Sequence, residues 1–476
     1  MVKQYINGKL VDGMGKALDV LNPATGEIID TVGCATAAQA KEALAAAEKA
    51  QKQWARTSLD ERIAWLNRLR EACLAEREKI IDMISAESGR PYAAACGDFD
   101  WCMTSFHYYG EEALRIYGTT FNNHSTPKGV VYHVTERVPI GVVVAHLAWN
   151  YPLGNAGLKI APSVVSGCAC VIKPSSQTPL ATLYLGEICE RISFPAGVIN
   201  IISGPSSEVA KTLNESMIPR MIALIGSSET GLQIMRESAT SIKKYAFECG
   251  GNAPVIVMDD ANIQETAAAI VAKKVGFAGQ TCVNYNRIYI HRSIYEDMIK
   301  AIAAELDRVI LGKGRDPGYV MGPVINMAAR DRMLSLIKDA VCHGAKLVKG
   351  GEVPEAFRAG SYITPALLRD VTDDMRVSTE EIFGPIIPVQ PFDELDEALQ
   401  KANNTIYGLS AYFYGHRAPE IAKAFEALEA GEIFINNSPG TEQTPHAGVK
   451  QSGVGVDKSP WSLEEFYDYK YMGLKP

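Results

Sequence analysis

The chain has 476 residues, of which 47% are hydrophobic and 21% charged. These proportions are ordinary for a globular protein and exclude a disordered or fibrous one. The 47 Lys and Arg residues and 55 Asp and Glu residues give a net charge of -8. Because this charge creates no strong positive field, we expect neither nucleic acid nor an anionic membrane as a partner. At about 150 residues per domain, the length predicts about three domains.

The first residues, MVKQYINGKLVDG, lack the apolar core of a secretory signal. The longest apolar stretch, around residues 140–147, is far shorter than the ~20 residues of a membrane helix. The ten cysteines form no C-x-x-C pair and no histidine cluster has zinc spacing, so we expect free thiols and no metal. We therefore expect a cytoplasmic protein without a membrane partner.

Strands and then helices are predicted in the N-terminal part. Thr36 and Gln39 have the spacing of a capping box, as do Ser58 and Glu61, and an amphipathic run follows each pair. The predicted strands are 5–11 and 28–32, and the predicted helices are 36–54, a helix from 58 that includes Leu66, Leu69 and Ile80, and 91–117.

From residue 130 onward, apolar strands alternate with helices, which is typical of a parallel α/β sheet. A break near residues 248–251 divides the pattern into two blocks. In the first block we predict strands at 130–138, 141–147, 170–173, 198–202 and 221–225, and helices at 159–165, 180–192, 207–214 and 232–238. In the second we predict strands at 255–258, 288–291, 346–348, 410–414 and 432–436, and helices at 263–275, 294–310, 330–343, 397–403 and 421–427.

The C-terminal residues 466–472 alternate in polarity, with Tyr467, Tyr469 and Tyr471 on one face. This pattern predicts a strand that could add to the edge of another sheet.

No G-x-G-x-x-G motif lies between a strand and a helix, so the usual dinucleotide fingerprint is missing. Instead, Gly226, Ser227 and Gly231 belong to the segment GSSETG, which lies between a predicted strand and a predicted helix. Backbone N–H groups at such a helix start can bind a phosphate. The same segment also suits a plain capped helix, so both interpretations stay open.

Three further residues could carry chemistry. Cys282 lies in the glycine-containing turn FAGQTCVN, Glu248 precedes CGGN at a strand end, and Asn150 follows a buried strand in WNYP. The matching roles are a thiolate nucleophile, a general base and an oxyanion donor. Taken singly, each residue has a simpler interpretation: an inert core thiol, a paired or solvated acid, and a turn.

Taken together, these segments have the order and spacing of the aldehyde dehydrogenase superfamily, which the chain resembles from YING at 5–8 and NPATG at 22–26 to KQSGVG at 450–455. The resemblance implies an α/β fold with a Rossmann-type cofactor domain, an α/β catalytic domain and a small β oligomerisation element. The implied boundaries are 1–121 and 139–248 for the cofactor domain, 249–436 for the catalytic domain, 122–138 and 456–476 for the oligomerisation element, and 437–455 for an active-site loop that returns to the cofactor domain.

The resemblance also implies a role for each matching catalytic residue. Cys282 attacks the aldehyde as a thiolate and forms a thiohemiacetal, while Asn150 and the backbone N–H of Cys282 hold the oxyanion. After hydride transfer to nicotinamide, Glu248 activates the water that hydrolyses the thioester. Lys159 matches a family lysine near the proton path, although packing or ion pairing would also explain it.

NAD or NADP is the implied cofactor. Lys173 matches a family lysine that contacts the adenosine ribose, and Ser227, between Gly226 and Gly231, matches the pyrophosphate contact. The other implied contacts are Trp149 along the cofactor cleft, and Glu381 and Phe383 around the nicotinamide ribose and ring.

Ser176 departs from the family pattern. Members that use only NAD often have a Glu three residues after the ribose-contacting lysine, where it binds the ribose 2′-OH. A carboxylate would repel a 2′-phosphate, whereas a serine can form a hydrogen bond with it. We therefore predict that NADP is accepted, with NAD still open. Ala148, Cys249 and the Val456-Asp457 pair also differ from the usual residues, but none of them removes a catalytic group.

Asn155 and His446 match substrate-lining positions at which members that oxidise apolar aldehydes tend to have aromatic residues. The sequence HAG at 446–448 resembles lactaldehyde and glycolaldehyde dehydrogenases, and KPSSQTP at 173–179 resembles succinate-semialdehyde dehydrogenases. Buried polar groups are costly unless a substrate pairs with them. We therefore expect a short polar or anionic aldehyde, such as a hydroxyaldehyde or semialdehyde, although His446 could equally be structural.

Members of this family are usually dimers or tetramers, and the alternating segments at 130–138 and 466–472 suit strand addition between subunits of a homodimer or homotetramer. Two other functions stay open. A CoA-acylating aldehyde dehydrogenase would pass the acyl group to a thiol, and Glu248 argues against it because that residue prepares water. A non-catalytic binding or structural protein on this scaffold would not need Cys282, Glu248 and Asn150 together.

Overall fold

A computed structural model describes residues 1–122 and 132–475. These ranges contain twenty strands and fifteen α-helices. The strands are β1 (Gln4–Ile6), β2 (Lys9–Val11), β3 (Ala17–Leu21), β4 (Ile28–Gly33), β5 (Thr119–Asn122), β6 (Tyr132–Pro139), β7 (Val142–His146), β8 (Ala169–Lys173), β9 (Ile199–Ile201), β10 (Pro219–Ile225), β11 (Lys244–Glu248), β12 (Ala253–Val257), β13 (Tyr285–His291), β14 (Lys346–Lys349), β15 (Ala366–Arg369), β16 (Ile386–Phe392), β17 (Ser410–Tyr414), β18 (Glu432–Ile435), β19 (Gly453–Val454) and β20 (Tyr467–Leu474). The helices are α1 (Ala37–Trp54), α2 (Leu59–Ala75), α3 (Arg77–Ser88), α4 (Tyr92–Ala113), α5 (Pro152–Ser166), α6 (Leu180–Arg191), α7 (Lys211–Glu215), α8 (Ser228–Glu237), α9 (Ile263–Val275), α10 (Tyr295–Leu306), α11 (Met327–Cys342), α12 (Arg376–Thr379), α13 (Leu395–Asn403), α14 (Ala418–Ala427) and α15 (Ser459–Glu464).

The first large sheet has eight strands in the order β19-β11-β10-β7-β8-β9-β1-β2. Its five central strands, from β11 to β9, are parallel, and the flanking strands are antiparallel. From β7 the chain continues to β8 on one side and later to β10 on the other. A topological switch point therefore lies between β7 and β10, which is where open α/β sheets bind ligands.

The second large sheet has seven strands in the order β14-β15-β16-β13-β12-β17-β18. Only the pairing of β14 with β15 is antiparallel. Each large sheet has its own buried apolar core. The expected α/β class with parallel sheets is confirmed, while the domain boundaries stay a prediction.

Two smaller sheets complete the described fold: β3 pairs with β4, and β20-β6-β5 form an antiparallel sheet. The predicted C-terminal strand is confirmed as β20. Residues 123–131, which include the start of the strand predicted at 130–138 and most of the 122–138 segment, lie outside the described residues. None of the described helices combines the length and apolar character that a membrane crossing requires.

Two predicted elements are wrong in detail. Residues 5–11 are not one strand, because Asn7 and Gly8 adopt positive φ angles of 51° and 79° and turn β1 back into β2. The helix that begins after Ser58 ends at Ala75, because Glu76 leaves helical geometry with φ −116° and ψ 23°. The Glu76 carboxylate contacts the side chains of Tyr184 and Arg191 instead.

Five strands have no counterpart in the sequence predictions, namely β3, β5, β15, β16 and β19. The strand β16 contains Pro388 and Pro391 and still lies between β13 and β15. Proline lacks the N–H that a ladder uses, so a proline-containing run argues against a central strand. The sequence signal therefore pointed away from the observed structure.

Candidate active site

Two cavities share one group of lining residues. The first has a volume of about 410 Å³ and lies at the carboxyl ends of strands in the first sheet, and the second has a volume of about 710 Å³. Both are lined by Asn150, Ile225, Glu248 and Cys282. The predicted oxyanion donor, base and nucleophile therefore lie where the two cavities meet.

The first cavity lies at the switch point of the first sheet, between the segments that follow β7 and β10. It brings together seven of the eight residues predicted to bind a cofactor: Trp149, Lys173, Ser176, Gly226, Ser227, Glu381 and Phe383. Gly231 is not on its wall. It lies in α8, where a Cβ would come within 3.3 Å of Phe247 and 3.5 Å of the Cys249 sulfur. Glycine at this position thus allows close packing of α8 on β11.

The turn after β10 is held at both ends. The Gly226 N–H donates to the carbonyl of Glu248 at 2.9 Å, and the Ser227 hydroxyl caps α8 by accepting from the Thr230 N–H at 3.2 Å. The positive end of a ten-residue helix therefore lies beside the cavity, as a phosphate site requires.

Lys173 ends β8 and is almost completely buried beside this turn. Within residues 1–122 and 132–475 it has no salt bridge. Burial lowers the pKa of its ammonium group to about 8, with a small opposing effect of Cys34. An uncompensated ammonium group at the cavity wall suits an anionic or hydroxyl-rich ligand.

Glu381 and Phe383 lie at the other end of the first cavity. The Glu381 carboxylate accepts from the Gly251 N–H at 3.0 Å, and a Cβ on Gly250 would collide with it. Burial raises the pKa of Glu381 to about 7. The Trp149 and Phe383 rings lie 5.3 Å apart at 75°, so an acid and two aromatic faces meet here.

Cys282 follows a strained turn before β13. Phe277 and Ala278 are buried in the left-handed region, with φ angles of 49° and 51°. Side chains rarely adopt this conformation, and it costs of order 1–3 kcal/mol at each residue. Strain of this kind clusters at functional sites, and here it lies in the turn directly before Cys282.

His446 joins the thiol to two carboxylates. Its Nε2 lies 3.9 Å from the Cys282 Sγ and 2.8 Å from a Glu248 oxygen, and its Nδ1 lies 2.9 Å from a Glu432 oxygen. The other Glu248 oxygen, Oε1, is buried with no hydrogen-bond partner among the described residues. The Glu248 carboxylate is therefore held on one side and free to accept a hydrogen bond on the other.

The pKa values of Cys282, Glu248 and His446 are all raised, for different reasons. Burial raises the pKa of Cys282, and His446 partly offsets that effect. Burial raises the pKa of Glu248, and His446 again opposes it. Burial alone would lower the pKa of His446, but Glu248, Cys282 and Glu432 raise it well above its usual value.

Asn150 is buried and is held through its backbone. Its carbonyl accepts from the Arg90 guanidinium, and its Nδ2 donates to the Gln280 carbonyl at 3.3 Å. Asn155, one turn further along in α5, is buried at the second cavity and donates to the Ala148 carbonyl at 3.4 Å.

Lys159 does not line either cavity. Its ammonium group forms a fully buried ion pair with Asp457, whose backbone pairs with that of His446 in both directions at 2.8 Å. The ion pairing considered from the sequence is thus observed. The Val456-Asp457 departure from the family pattern supplies the acid.

Sequence reasoning missed Arg90, Glu432 and Lys273, all of which line the second cavity. Each lies in a segment without a motif, and only folding brings it to Cys282. The same applies to the cluster of Glu248, Cys282 and His446, whose ligand-type atoms lie within 4.8 Å of one another. A histidine 164 residues from Cys282 gives no metal-type spacing along the chain.

The fold and the cysteine site together define a class of oxidoreductase, and comparison with known proteins identifies it. The protein-family model described as "Aldehyde dehydrogenase family" matches residues 10–472 of the chain. The chain belongs to the aldehyde dehydrogenase family, as its sequence resemblance predicted, and is an oxidoreductase that acts on aldehydes.

Individual relatives match over almost their full length. The chain is 36% identical over 470 residues to glutarate-semialdehyde dehydrogenase from Pseudomonas putida, covering 98% of this chain and 96% of the relative. It is 34% identical over 469 residues to the NADP(+) succinate-semialdehyde dehydrogenase of Escherichia coli, covering 98% and 96%. The crystal structure of lactaldehyde dehydrogenase from Escherichia coli has a TM-score of 0.95 at 32% identity, covering 99% of each chain.

Proposed function

We propose that this protein oxidises a short polar or anionic aldehyde to the carboxylic acid with NAD or NADP. The observation that carries the substrate class is that Arg90 and Lys273, which line the second cavity together with Cys282, form no salt bridge among the described residues. The similarity to glutarate- and succinate-semialdehyde dehydrogenases supports the same class.

The first cavity fits a nicotinamide dinucleotide. Lys173 and Ser176 would hold the adenosine ribose, the N-terminus of α8 with Ser227 would hold the pyrophosphate, and Glu381 would hold the nicotinamide ribose. Bound there, the cofactor supplies the acceptor for the hydride that leaves the aldehyde carbon.

The residues at the junction of the cavities perform the covalent chemistry. The Cys282 thiolate attacks the aldehyde carbon, and the Asn150 amide and the Cys282 backbone N–H hold the oxygen that becomes negative. Loss of hydride converts the thiohemiacetal to a thioester. The partner-free Oε1 of Glu248 then accepts a proton from the water that releases the acid.

Two cations in the second cavity form no salt bridge among the described residues, and the acids that interact with Arg90 are the buried Asp98 and Glu87. The lining carboxylates are already paired, Glu248 and Glu432 with His446, and Asp457 with Lys159. Arg90 and Lys273 have no salt bridge among residues 1–122 and 132–475. Burial lowers the pKa of Lys273, and Cys282 and Glu432 oppose that effect. A substrate carboxylate would supply the missing charge.

An aldehyde panel with both coenzymes tests the substrate class. Semialdehydes and hydroxyaldehydes should have the highest kcat/KM, and the products should be free acids. Lys273→Met should raise KM for a semialdehyde about tenfold or more, since hydrogen bonds to charged groups contribute about 1.5–3 kcal/mol. A neutral aldehyde of equal length should change far less. Lys300→Met, at an exposed lysine of α10, is the control.

Two results would contradict this substrate class. One is the highest kcat/KM for long aliphatic or aromatic aldehydes, and the other is an equal effect of Lys273→Met on charged and neutral aldehydes. Formation of acyl-CoA in place of the free acid would favour the acylating reaction.

We also propose a cytoplasmic homodimer or homotetramer. All ten cysteines are free thiols, which favours a reducing compartment. The edge strand β20 exposes Tyr469, Tyr471 and Met472, and apolar side chains on a sheet edge favour strand addition between subunits.

A further inference from the structure

His446 is held in one orientation from three directions. Its backbone N–H and carbonyl pair with those of Asp457 at 2.8 Å each. Its Nδ1 faces Glu432 at 2.9 Å, and its Nε2 faces Glu248 at 2.8 Å and the Cys282 sulfur at 3.9 Å. A histidine that only lined a substrate tunnel would need none of these restraints.

Several charged or titratable groups face this imidazole. Glu248 comes from the end of β11, Glu432 from the start of β18, and Cys282 from the turn before β13. The other charged or titratable groups packed around the cluster are Lys159, Lys273, Glu381, Glu442, Asp457, Tyr151 and Tyr412. Carboxylates outnumber the cations next to the ring, so the surroundings stabilise the imidazolium that forms when the neutral ring accepts a proton.

We propose that Cys282, His446 and Glu432 act as a nucleophile–base–carboxylate triad in which His446 takes the thiol proton and Glu432 orients the imidazole. The S–H bond breaks as an N–H bond forms at Nε2, while Nδ1–H donates to Glu432. The sulfur lone pair then attacks the aldehyde carbon. Hydrolysis of the thioester returns a thiolate, so this proton transfer occurs only when the enzyme is first activated.

The triad would help to form a thiolate at a buried position where ionisation is unfavourable. Burial disfavours the thiolate and raises the pKa of Cys282, and Glu248 adds a like charge. A neighbouring imidazolium has the opposite effect. Without His446 the largest contribution that favours the thiolate is lost, so the thiol should ionise at a higher pH.

The pH dependence of Cys282 alkylation by iodoacetamide, measured without aldehyde, tests this proposal. Mass spectrometry of the labelled peptides separates Cys282 from the other cysteines, and the exposed Cys342 is an internal control. His446→Gln should move the Cys282 midpoint upward by about one pH unit or more. The isosteric Glu432→Gln should move the Cys282 midpoint upward by less. The glutamine side chain can still orient the imidazole, and only the negative charge beside Nδ1 is lost. Glu429→Gln, at an exposed ion pair, should leave it unchanged.

The triad rests on the proposed role of Cys282 as nucleophile. Because alkylation requires no turnover, the triad and the proposed function can fail separately. An unchanged Cys282 midpoint in His446→Gln, with or without an increased KM for aldehyde, would overturn the triad. A shift in Glu429→Gln as large as that in Glu432→Gln would overturn the role of Glu432. Loss of turnover together with an unchanged midpoint would assign His446 to substrate binding.

Discussion

Ser176 is the residue at which we expect the choice between coenzymes to be made. It is exposed at the wall of the first cavity, two positions beyond Pro174. Ser176→Glu should lower the ratio of kcat/KM for NADP to that for NAD by about tenfold or more, because a carboxylate repels the 2′-phosphate. Gln177→Glu adds the same charge at a neighbour outside the cavity lining and should have little effect. Equal ratios in Ser176→Glu and the wild type would refute this role.

Lys173 should make NADP binding depend on pH. Its pKa is lowered to about 8 by burial, so it is a cation below that pH and loses its proton as the pH rises. The affinity for NADP should therefore fall above about pH 8, by up to about tenfold per pH unit. Arginine stays charged in this range, so Lys173→Arg should abolish the decline. Fluorescence titration at several pH values measures the Kd for NADP. The same decline in affinity in the wild type and in Lys173→Arg would contradict the role of Lys173.

Single residues were the least certain part of the sequence interpretation. Cys282, Glu248 and Asn150 each had a plain structural explanation, and only their joint order and spacing favoured catalysis. The structure adds Arg90, Glu432 and Lys273, which no local pattern marks. These residues reach the site through long-range packing, which the spacing of residues along the chain does not reveal.

At the scale of elements, helix α8 carries the expected pyrophosphate site, and Gly231 sets its distance from the sheet. Because a Cβ there is already tight against Phe247, a large side chain must push the helix outward. Gly231→Leu should weaken coenzyme binding about tenfold or more, while Gly231→Ala should have a smaller effect. Isothermal titration with NAD and NADP measures both. Equal Kd values for wild type and Gly231→Leu would show that the position of α8 does not matter.

Most elements with strong local signals were predicted. The capping box of Thr36 and the N-cap of Ser58 start α1 and α2 as expected, because these interactions are local. The failures have non-local causes. Glu76 interrupts a continuous helical pattern through contacts with α6, and β16 is a strand despite two prolines because its neighbours in the sheet determine it.

At the scale of the whole molecule, β20 is the expected assembly surface. It pairs with β6 on one side, and Met472 and Leu474 are about half exposed, at 52% and 49%. Replacing both with Asp should lower the mass of the particle to that of one chain in size-exclusion chromatography with light scattering, since buried charges oppose association. Phe425→Asp, at an exposed position in α14, should not. An unchanged particle mass in the double variant would contradict assembly through β20.

The α/β class followed from the alternation of strands and helices, and the two large sheets follow the break near Glu248. The meeting of the two cavities at Cys282 did not follow from the sequence, because it depends on how segments from both sheets pack. The division into a cofactor domain, a catalytic domain and an oligomerisation element stays a prediction.

In the proposed reaction Cys282 carries the acyl group and Glu248 prepares the water that removes it. In the most direct test, Glu248→Gln is mixed with aldehyde and NAD or NADP and the reaction is stopped with acid. The mass of the peptide that contains Cys282 is then measured by mass spectrometry. We predict a burst of reduced coenzyme and a Cys282 peptide that is heavier by the mass of the aldehyde less two hydrogens. A burst of reduced coenzyme with an unmodified Cys282 peptide would contradict it.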